Sequence, residues 1–367
     1  MRFASGARHH ALKRVIPFSH SVAEQLRDNS HGAPPALPMI RREPLIALAA
    51  LLLLQFAPFA RAQTNAASYP TKPIRFIVPY PPGGTTDIVA RGIALKLSER
   101  TGQQVVIDNR AGASTILGAE AAAKSAPDGY TLLLATSTTM SINPQVFPKL
   151  PYDAVRDFAP ISSAVYVPFV IATHPSVPAN TITELIALAK ANPGTIKYST
   201  PGTASSNHVA GALLETMAGI KLLHVPYKGS APAATAVLSG EVHFVITGVG
   251  TLIQHWKSGR LKILAFGSDK RHPLWPDIPC TGEAGLVGYE AGTWFGVVTR
   301  AGTPKAIVDK LNKEIVAALA TAELKERLTA IGFDVSAGTA EEFARFMQQD
   351  RARAAKAIKA AGIKATD

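Results

Sequence analysis

Val78-Pro79-Tyr80-Pro81-Pro82-Gly83-Gly84-Thr85-Thr86-Asp87 is the stretch on which the reading of the fold turns. The β-branched run Ile74 to Val78 reads as a strand, and the prolines that follow lack the N–H needed to stay in a sheet. Gly83 and Gly84 then bring bare backbone close to whatever occupies the turn. Asp87 to Arg100 carries helical spacing, with Ile88, Ala94, Leu95 and Leu97 expected to face inward. Free N–H groups at such a helix start favour an anion, and carboxylate and phosphate satisfy that physics equally. No Gly-Lys-Ser/Thr follows and the glycines do not form GxGxxG, so this is not a nucleotide loop. An ordinary tight strand-to-helix turn, with Asp87 in the first helical turn, is the plainer account. A Gly83→Val change is expected to abolish any binding here by crowding the backbone.

Outward from this turn, short β-branched runs alternate with helical patterns. Val105 to Ile107 is a strand, Thr115 to Ser125 a small-residue helix and Thr131 to Ala135 a strand. This βαβαβ order predicts a mostly parallel sheet with helices on both faces. A second series begins with strand Phe169 to Ile171, helix Ile182 to Ala191, strand Ile196 to Ser199 and helix Ser206 to Met217. It continues with strand Leu222 to Val225, a helix near Ala231 to Leu238, strand His243 to Ile246 and strand Lys262 to Phe266. After Trp294 to Val298 the chain is mainly helical. Thr181 with Glu184 and Thr339 with Glu342 have the spacing of capping boxes, and Pro304 is placed at a first helical position. The fold class is α/β, and two cores are expected rather than one. One takes in about 69–167 and the other about 168–290.

Two further turns repeat the opening pattern. Ser199-Thr200-Pro201-Gly202-Thr203-Ala204-Ser205-Ser206-Asn207-His208 runs from strand through a glycine- and hydroxyl-rich turn into a helix, and Ala135-Thr136-Ser137-Thr138-Thr139 follows a strand. Ligands in open α/β sheets sit beyond the carboxyl ends of the strands, where all three turns fall.

The chain has 367 residues and one cysteine, Cys280, so no intramolecular disulfide can form. Arg41, Arg42, the apolar run Leu45 to Leu54 and the small-x-small triplet Ala60-Arg61-Ala62 have the order of a cleavable export signal spanning 39–62. A buried core helix is the competing account of that run. Residues 1–38 lack periodicity and read as disorder or as an overextended start, with translation beginning at Met39. Cleavage after Ala62 would leave 305 residues, with 30 Lys+Arg against 23 Asp+Glu, a formal charge of +7. The densest basic run, Arg351, Arg353, Lys356 and Lys359, has no interleaved aromatic residues to stack bases, so no nucleic acid partner is expected. His174, His208, His224, His243, His255 and His272 lack metal-site spacing, and neither metal nor cofactor is expected. Ser205 or Ser206 with His208 could be proposed as nucleophile and base. Without a Gly-x-Ser-x-Gly elbow, a helix-capping serine with a structural or ligand-facing histidine reads better. Asp87 and Asp108 have nothing that places them together as an acid/base pair, and no enzyme activity is expected.

Taken in order, these residues resemble the solute receptors of the tripartite tricarboxylate transporters, the Bug or TctC family. The match runs through Tyr69-Pro-x-Lys72-Pro73-Ile74, Pro82-Gly-Gly-x-x-Asp87 with Ala90-Arg91, Asn109-Arg-x-Gly112 and Asp128-Gly-Tyr130. It continues through Pro151-Tyr152-Asp153, Asp157 to Pro160, Val225-Pro226-Tyr227-Lys228-Gly229, Lys270-Arg271 with Pro279, Trp294-Phe-Gly and Gly302-Thr-Pro304. The resemblance implies a type II periplasmic-binding-protein fold of two α/β lobes around a ligand cleft, with the closing 291–367 returning to the first lobe. It also implies a periplasmic, monomeric receptor that hands a small organic acid to integral membrane transporter subunits. An exported hydrolase using Ser205, Ser206 or His208, and a sensory receptor for a signalling partner, are the alternatives. Carried over residue by residue, the ligand would be met by Tyr80, Pro82, Gly83, Gly84 and Thr85, by Ser137 and Thr138, and by Gly202, Thr203, Ala204 and Ser205. His208 would cap or contact it, or be buried. After strand His243 to Ile246 the family commonly has an aspartate; Thr247 stands there instead, which leans away from amino-acid ligands.

Overall fold

The computed structural model describes residues 68–363. The expectations for 1–38 and for the signal at 39–62 fall outside the described residues. The opening turn is built as expected: strand β1 (Ile74–Val78) leads into helix α1 (Thr85–Thr101). Val89, Ile93 and Leu97, at i, i+4 and i+8, form the buried stripe of α1. Leu95, expected inward, is 49% exposed because it sits about two residues of helical phase away from Ile93.

Strand β2 (Val105–Asn109), helix α2 (Ile116–Ala123) and strand β3 (Thr131–Thr136) complete the first unit, with β1 parallel to both β2 and β3. A five-residue π turn, Thr138–Ile142, and the short helix α3 (Asn143–Val146) follow. Strand β4 (Phe158–Thr173) corrects the reading of a short strand starting at Phe169. Its internal Pro160 and Pro168 look like breaks in sequence, yet the ladder with β9 (Gly292–Arg300) absorbs Pro160 at a register shift and runs on to Pro168.

The second unit comprises α4 (Ile182–Ala191), β5 (Lys197–Thr200), α5 (Ser206–Ala218), β6 (Leu223–Pro226), α6 (Ser230–Leu238) and β7 (Phe244–Gly248). It closes with α7 (Ile253–Lys257) and β8 (Lys262–Phe266). The strand order is β2-β1-β3-β9-β4-β7-β5-β6, with β8 and the two-residue β10 (Asp334–Val335) pairing β4. The expected parallel arrangement holds at the two flanks, where β5 is parallel to both β6 and β7. The centre is antiparallel instead: β9 against β3 and β4, and β4 against β7 and β8. β4 is shared. Its stretch Phe158 to Pro168 pairs β9, while Phe169 to Thr173 pairs β7 and β8, so one strand serves both halves of the sheet.

Each half has its own apolar packing. Phe76, Ile93, Leu132, Val165, Phe295 and Leu311 belong to one cluster; Phe169, Leu185, Tyr198, Leu214, Phe244 and Tyr289 belong to another. Helices α8 (Lys305–Leu319), α9 (Ala322–Thr329) and α10 (Ala340–Ala360) finish the chain, with Ile307, Leu311, Leu324 and Leu328 in the first cluster. Thr339 and Glu342 form the complete capping box expected of them. At α4 the box is displaced: Thr181 caps Glu184, but the Glu184 carboxylate accepts from Asn180 N–H. Pro304 occupies the cap, one position before the first helical residue.

Candidate functional site

Three helices begin around one small cavity between the two halves. Gly84 at the start of α1 has no side-chain cap, and its first intrahelical bond is Ile88 N–H to Gly84 O. Gly229 at the start of α6 is likewise uncapped. The two starts face each other, since a Cβ built on Gly84 would lie 3.7 Å from Ser230 Cβ and 3.9 Å from Ser230 N. α5 is the third, capped by Ser205, whose Oγ accepts from His208 N–H. Orphan N–H groups at uncapped ends carry the positive end of the helix dipole.

The cavity measures about 20 Å³ and is lined by Tyr80, Thr85, Phe169, Asn207, Ser230, Thr247, Thr293 and Phe295, among others. That is room for about one water molecule. A wider pocket of about 290 Å³ adjoins it through Tyr80 and Pro201, and is lined by Ala111 to Thr115 on one side and by Gly202 and Tyr227 to Gly229 on the other.

Direct bonds cross the gap. Thr85 Oγ1 lies 2.9 Å from Thr251 Oγ1, and Ser206 N–H donates to Thr138 Oγ1 over 3.2 Å. Ser114 Oγ donates to Thr203 O. Tyr80 donates its phenol to Thr138 at 3.3 Å, and burial pushes that phenol above its ordinary pKa, keeping it a neutral donor.

Of the residues singled out in sequence, Tyr80, Thr85 and Thr247 line the inner cavity, and Gly202 lines the outer pocket with Tyr80. Gly84 is buried at the α6 start, while Pro82, Gly83 and Thr203 lie on the exposed rim. Gly83 has φ +83° and open space where a Cβ would stand, so the crowding expected of Gly83→Val is absent there; the close approach belongs to Gly84. Ser137 bonds Thr293 at 2.8 Å and lines a different pocket, together with Ser206 and Thr293. Ala204 takes φ +57° and packs into an apolar cluster with Ile142, Val146, Val209 and Ile358.

His208 faces away from the cavity lining. Its Nδ1 accepts from Ala204 N–H at 3.2 Å, and its ring stacks on His224 with centroids 4.1 Å apart. Ser205 Oγ donates to Gly202 O at 2.7 Å and accepts from His208 N–H, so its hydroxyl is committed to the backbone rather than to an imidazole. Asp87 and Asp108 stay apart in separate roles. Burial would raise the Asp87 pKa, but hydrogen bonds from Arg91, Gly83 N–H and Asn109 hold it below the ordinary value. Asp108 pairs with Arg75 and Arg110. Among the described residues no group of three or more His, Cys, Asp or Glu is gathered to hold a metal ion, and no helix is long and apolar enough to cross a membrane.

Several wall residues escaped the sequence reading. Ser230 follows the strand-turn-glycine pattern Val225 to Gly229, the same signal used for the other turns. Phe169, Thr293 and Phe295 lie in or beside strands and carry no local signature. Ala113, Ser114 and Thr115 hold φ of 44°, 49° and 77°. Left-handed backbone costs about 1–2 kcal/mol per non-glycine residue. Asn143 steadies the run by donating to Ser114 O at 2.7 Å and to Thr115 Oγ1 at 3.2 Å, while Thr139 donates to Thr115 Oγ1 at 3.0 Å. These bonds hold the strained run against the outer pocket, which Ala113, Ser114 and Thr115 line.

The sequence pattern of the tripartite tricarboxylate transporter family receptor matches residues 89–363. Protein BugT of Bordetella pertussis is 36% identical over 304 residues, 83% of this chain and 93% of BugT. Among solved structures, R. palustris Rpa4515 with adipate is 35% identical with a TM-score of 0.79, covering 81% of this chain and all of that one (100%). MatC from Rhodopseudomonas palustris with bound malate is 28% identical with a TM-score of 0.75, covering 79% of this chain and 100% of that one.

Proposed function

Because this chain belongs to the tripartite tricarboxylate transporter receptor family, a family of solute-binding receptors with a two-lobed fold, we propose that it captures a small organic carboxylate in the cavity where α1, α5 and α6 begin. The observation that carries this reading is the pair of uncapped helix starts at Gly84 and Gly229, facing each other across the gap. Their N–H dipoles are fixed before any solute arrives and meet an anion without burying a formal countercharge, which avoids the desolvation cost of an ion pair. The solutes of Rpa4515 and MatC, adipate and malate, are both dicarboxylates, which supports a carboxylate site here without fixing how many carboxylates the solute of this chain carries.

A cavity of about 20 Å³ is too small for such an acid, so the two halves must part to admit it and close on it. We take the lobes as 69–167 with 291–367 and as 168–290, with β4 and the start of β9 as the hinge. Binding is by differential affinity for the closed form, without catalysis. The receptor works as a periplasmic monomer, exported through a signal at 39–62, and passes the closed, loaded form to the membrane subunits of its transporter.

A thermal-shift screen of residues 63–367 against organic acids tests the reading. A solute present at 100 times its Kd adds about 2.7 kcal/mol to the native state. At least one carboxylate is expected to raise the melting temperature by several degrees; a screen in which only sugars or peptides do so refutes the carboxylate. Mass spectrometry of the exported protein checks the signal, and a mature chain beginning before residue 39 refutes it.

A further inference from the structure

Thr247 Oγ1 is buried without a hydrogen-bond partner, and its side chain stands on the cavity wall with only 1% of the residue exposed. Its place is set by the β7–β4 ladder, where Thr247 pairs with Val170, and by Asn207, which ties the start of α5 to Ile246 O at 2.8 Å. A hydroxyl fixed in that way gives up its bonds to water on folding, and a buried polar group left unpaired is a standing cost that a solute can remove.

The rest of the wall has a consistent character. None of the residues lining the inner cavity is charged, and the lining includes the apolar residues Phe169 and Phe295, which are 2% and 3% exposed. Asp87, the ionised group behind the α1 start, has both oxygens engaged by Gly83, Arg91 and Asn109. Lys228 lines the outer pocket, so positive charge lies toward the mouth and not around the inner cavity. The helix starts can take one carboxylate. No residue lining the inner cavity offers a countercharge for a second, and a carboxylate buried there without a partner is strongly disfavoured.

We propose that the solute is a monocarboxylate whose uncharged, largely apolar body lies against Phe169 and Phe295 and carries one hydrogen-bonding group directed at Thr247. Acids with a second, distal carboxylate and acidic amino acids are discriminated against. This rests on the cavity being the carboxylate site.

Calorimetry on the mature protein with benzoate, 4-hydroxybenzoate, succinate, adipate and glutamate tests it, alongside Thr247→Val. Wild type is expected to bind 4-hydroxybenzoate at least about tenfold more tightly than succinate, adipate or glutamate, tenfold being the weight of one neutral hydrogen bond. Thr247→Val keeps the side-chain volume and removes the orphan hydroxyl. It should weaken 4-hydroxybenzoate about tenfold, leave benzoate within about twofold, and raise the melting temperature of the solute-free protein. Tightest binding of succinate, adipate or glutamate overturns the inference and leaves the carboxylate receptor standing. So does an equal loss of both benzoates in Thr247→Val. Absence of binding by every acid overturns the carboxylate reading, and the inference with it.

Discussion

Gly83 and Gly84 are adjacent in sequence and do different work. Gly83 supplies φ +83°, and any side chain there is strained though not crowded; Gly84 lies against Ser230 with ordinary backbone dihedrals. Gly83→Ala is therefore expected to lower stability by about 1–2 kcal/mol, the cost of a left-handed non-glycine residue, while Gly84→Val should abolish closure by pushing its branches into the α6 start. Melting curves and calorimetry on the two variants separate these effects; equal loss of binding in both contradicts the assignment. The stacked pair His208 and His224 gives a pH dependence at the same scale. Burial lowers both, and with the neighbouring His208 charge it takes His224 from 6.5 to about 3. Groups facing the pair are the Tyr198 ring, Thr200 Oγ1 at 2.6 Å from His224 Nε2, and Ala204 N–H. Because the folded pKa lies below the unfolded one, the contribution is complete above about pH 6.5 and is lost as pH falls toward 3. Melting temperature should drop through that window, and His224→Gln should flatten the drop; an unchanged slope in the variant rules the pair out as its source.

Among the elements, the C-terminal helix α10 does more than cover the first lobe. Ile358 joins Ile142 and Val146 of one lobe to Ala204 and Val209 of the other in a single apolar cluster. On the proposed closure, that cluster would favour the closed arrangement, and it includes Ala204 of the turn that opens α5. Truncation of a buried Ile typically costs about 2–5 kcal/mol in a full core. For a cluster shared between lobes, Ile358→Ala is expected to cost about 1–2 kcal/mol of closure, weakening solute binding about tenfold through a smaller closed population. Calorimetry with an identified solute measures this, and unchanged affinity removes the cluster from the closing mechanism. The turns that open α1 and α5 are legible because proline and glycine follow a strand and precede a helix within ten residues, with a serine cap added at α5. The α6 start carries the same signal more faintly, and the left-handed run Ala113 to Thr115 carries none. It exists because Asn143 and Thr139, a helix and a strand further along the chain, hold it.

For the molecule entire, the proposed hinge of β4 and the start of β9 predicts a measurable change of shape. Small-angle scattering should show a smaller radius of gyration when a bound acid is added, and an identical profile would mean the lobes do not move. Local order along the chain is enough for the α/β class and the position of two of the three helix starts, which are written in periodicity, glycine and proline; the family is legible as the ordered set of short motifs that resembles it. Packing in three dimensions was needed to make β4 one strand through both halves, to set the central pairs antiparallel, and to turn Leu95 to solvent. It also turned His208 toward His224, and it placed Phe169, Ser230 and Phe295 beside Thr247. Those facts depend on contacts between residues far apart in the chain, which no local pattern encodes: a side chain's partner is fixed by how the sheet closes, not by its neighbours in sequence.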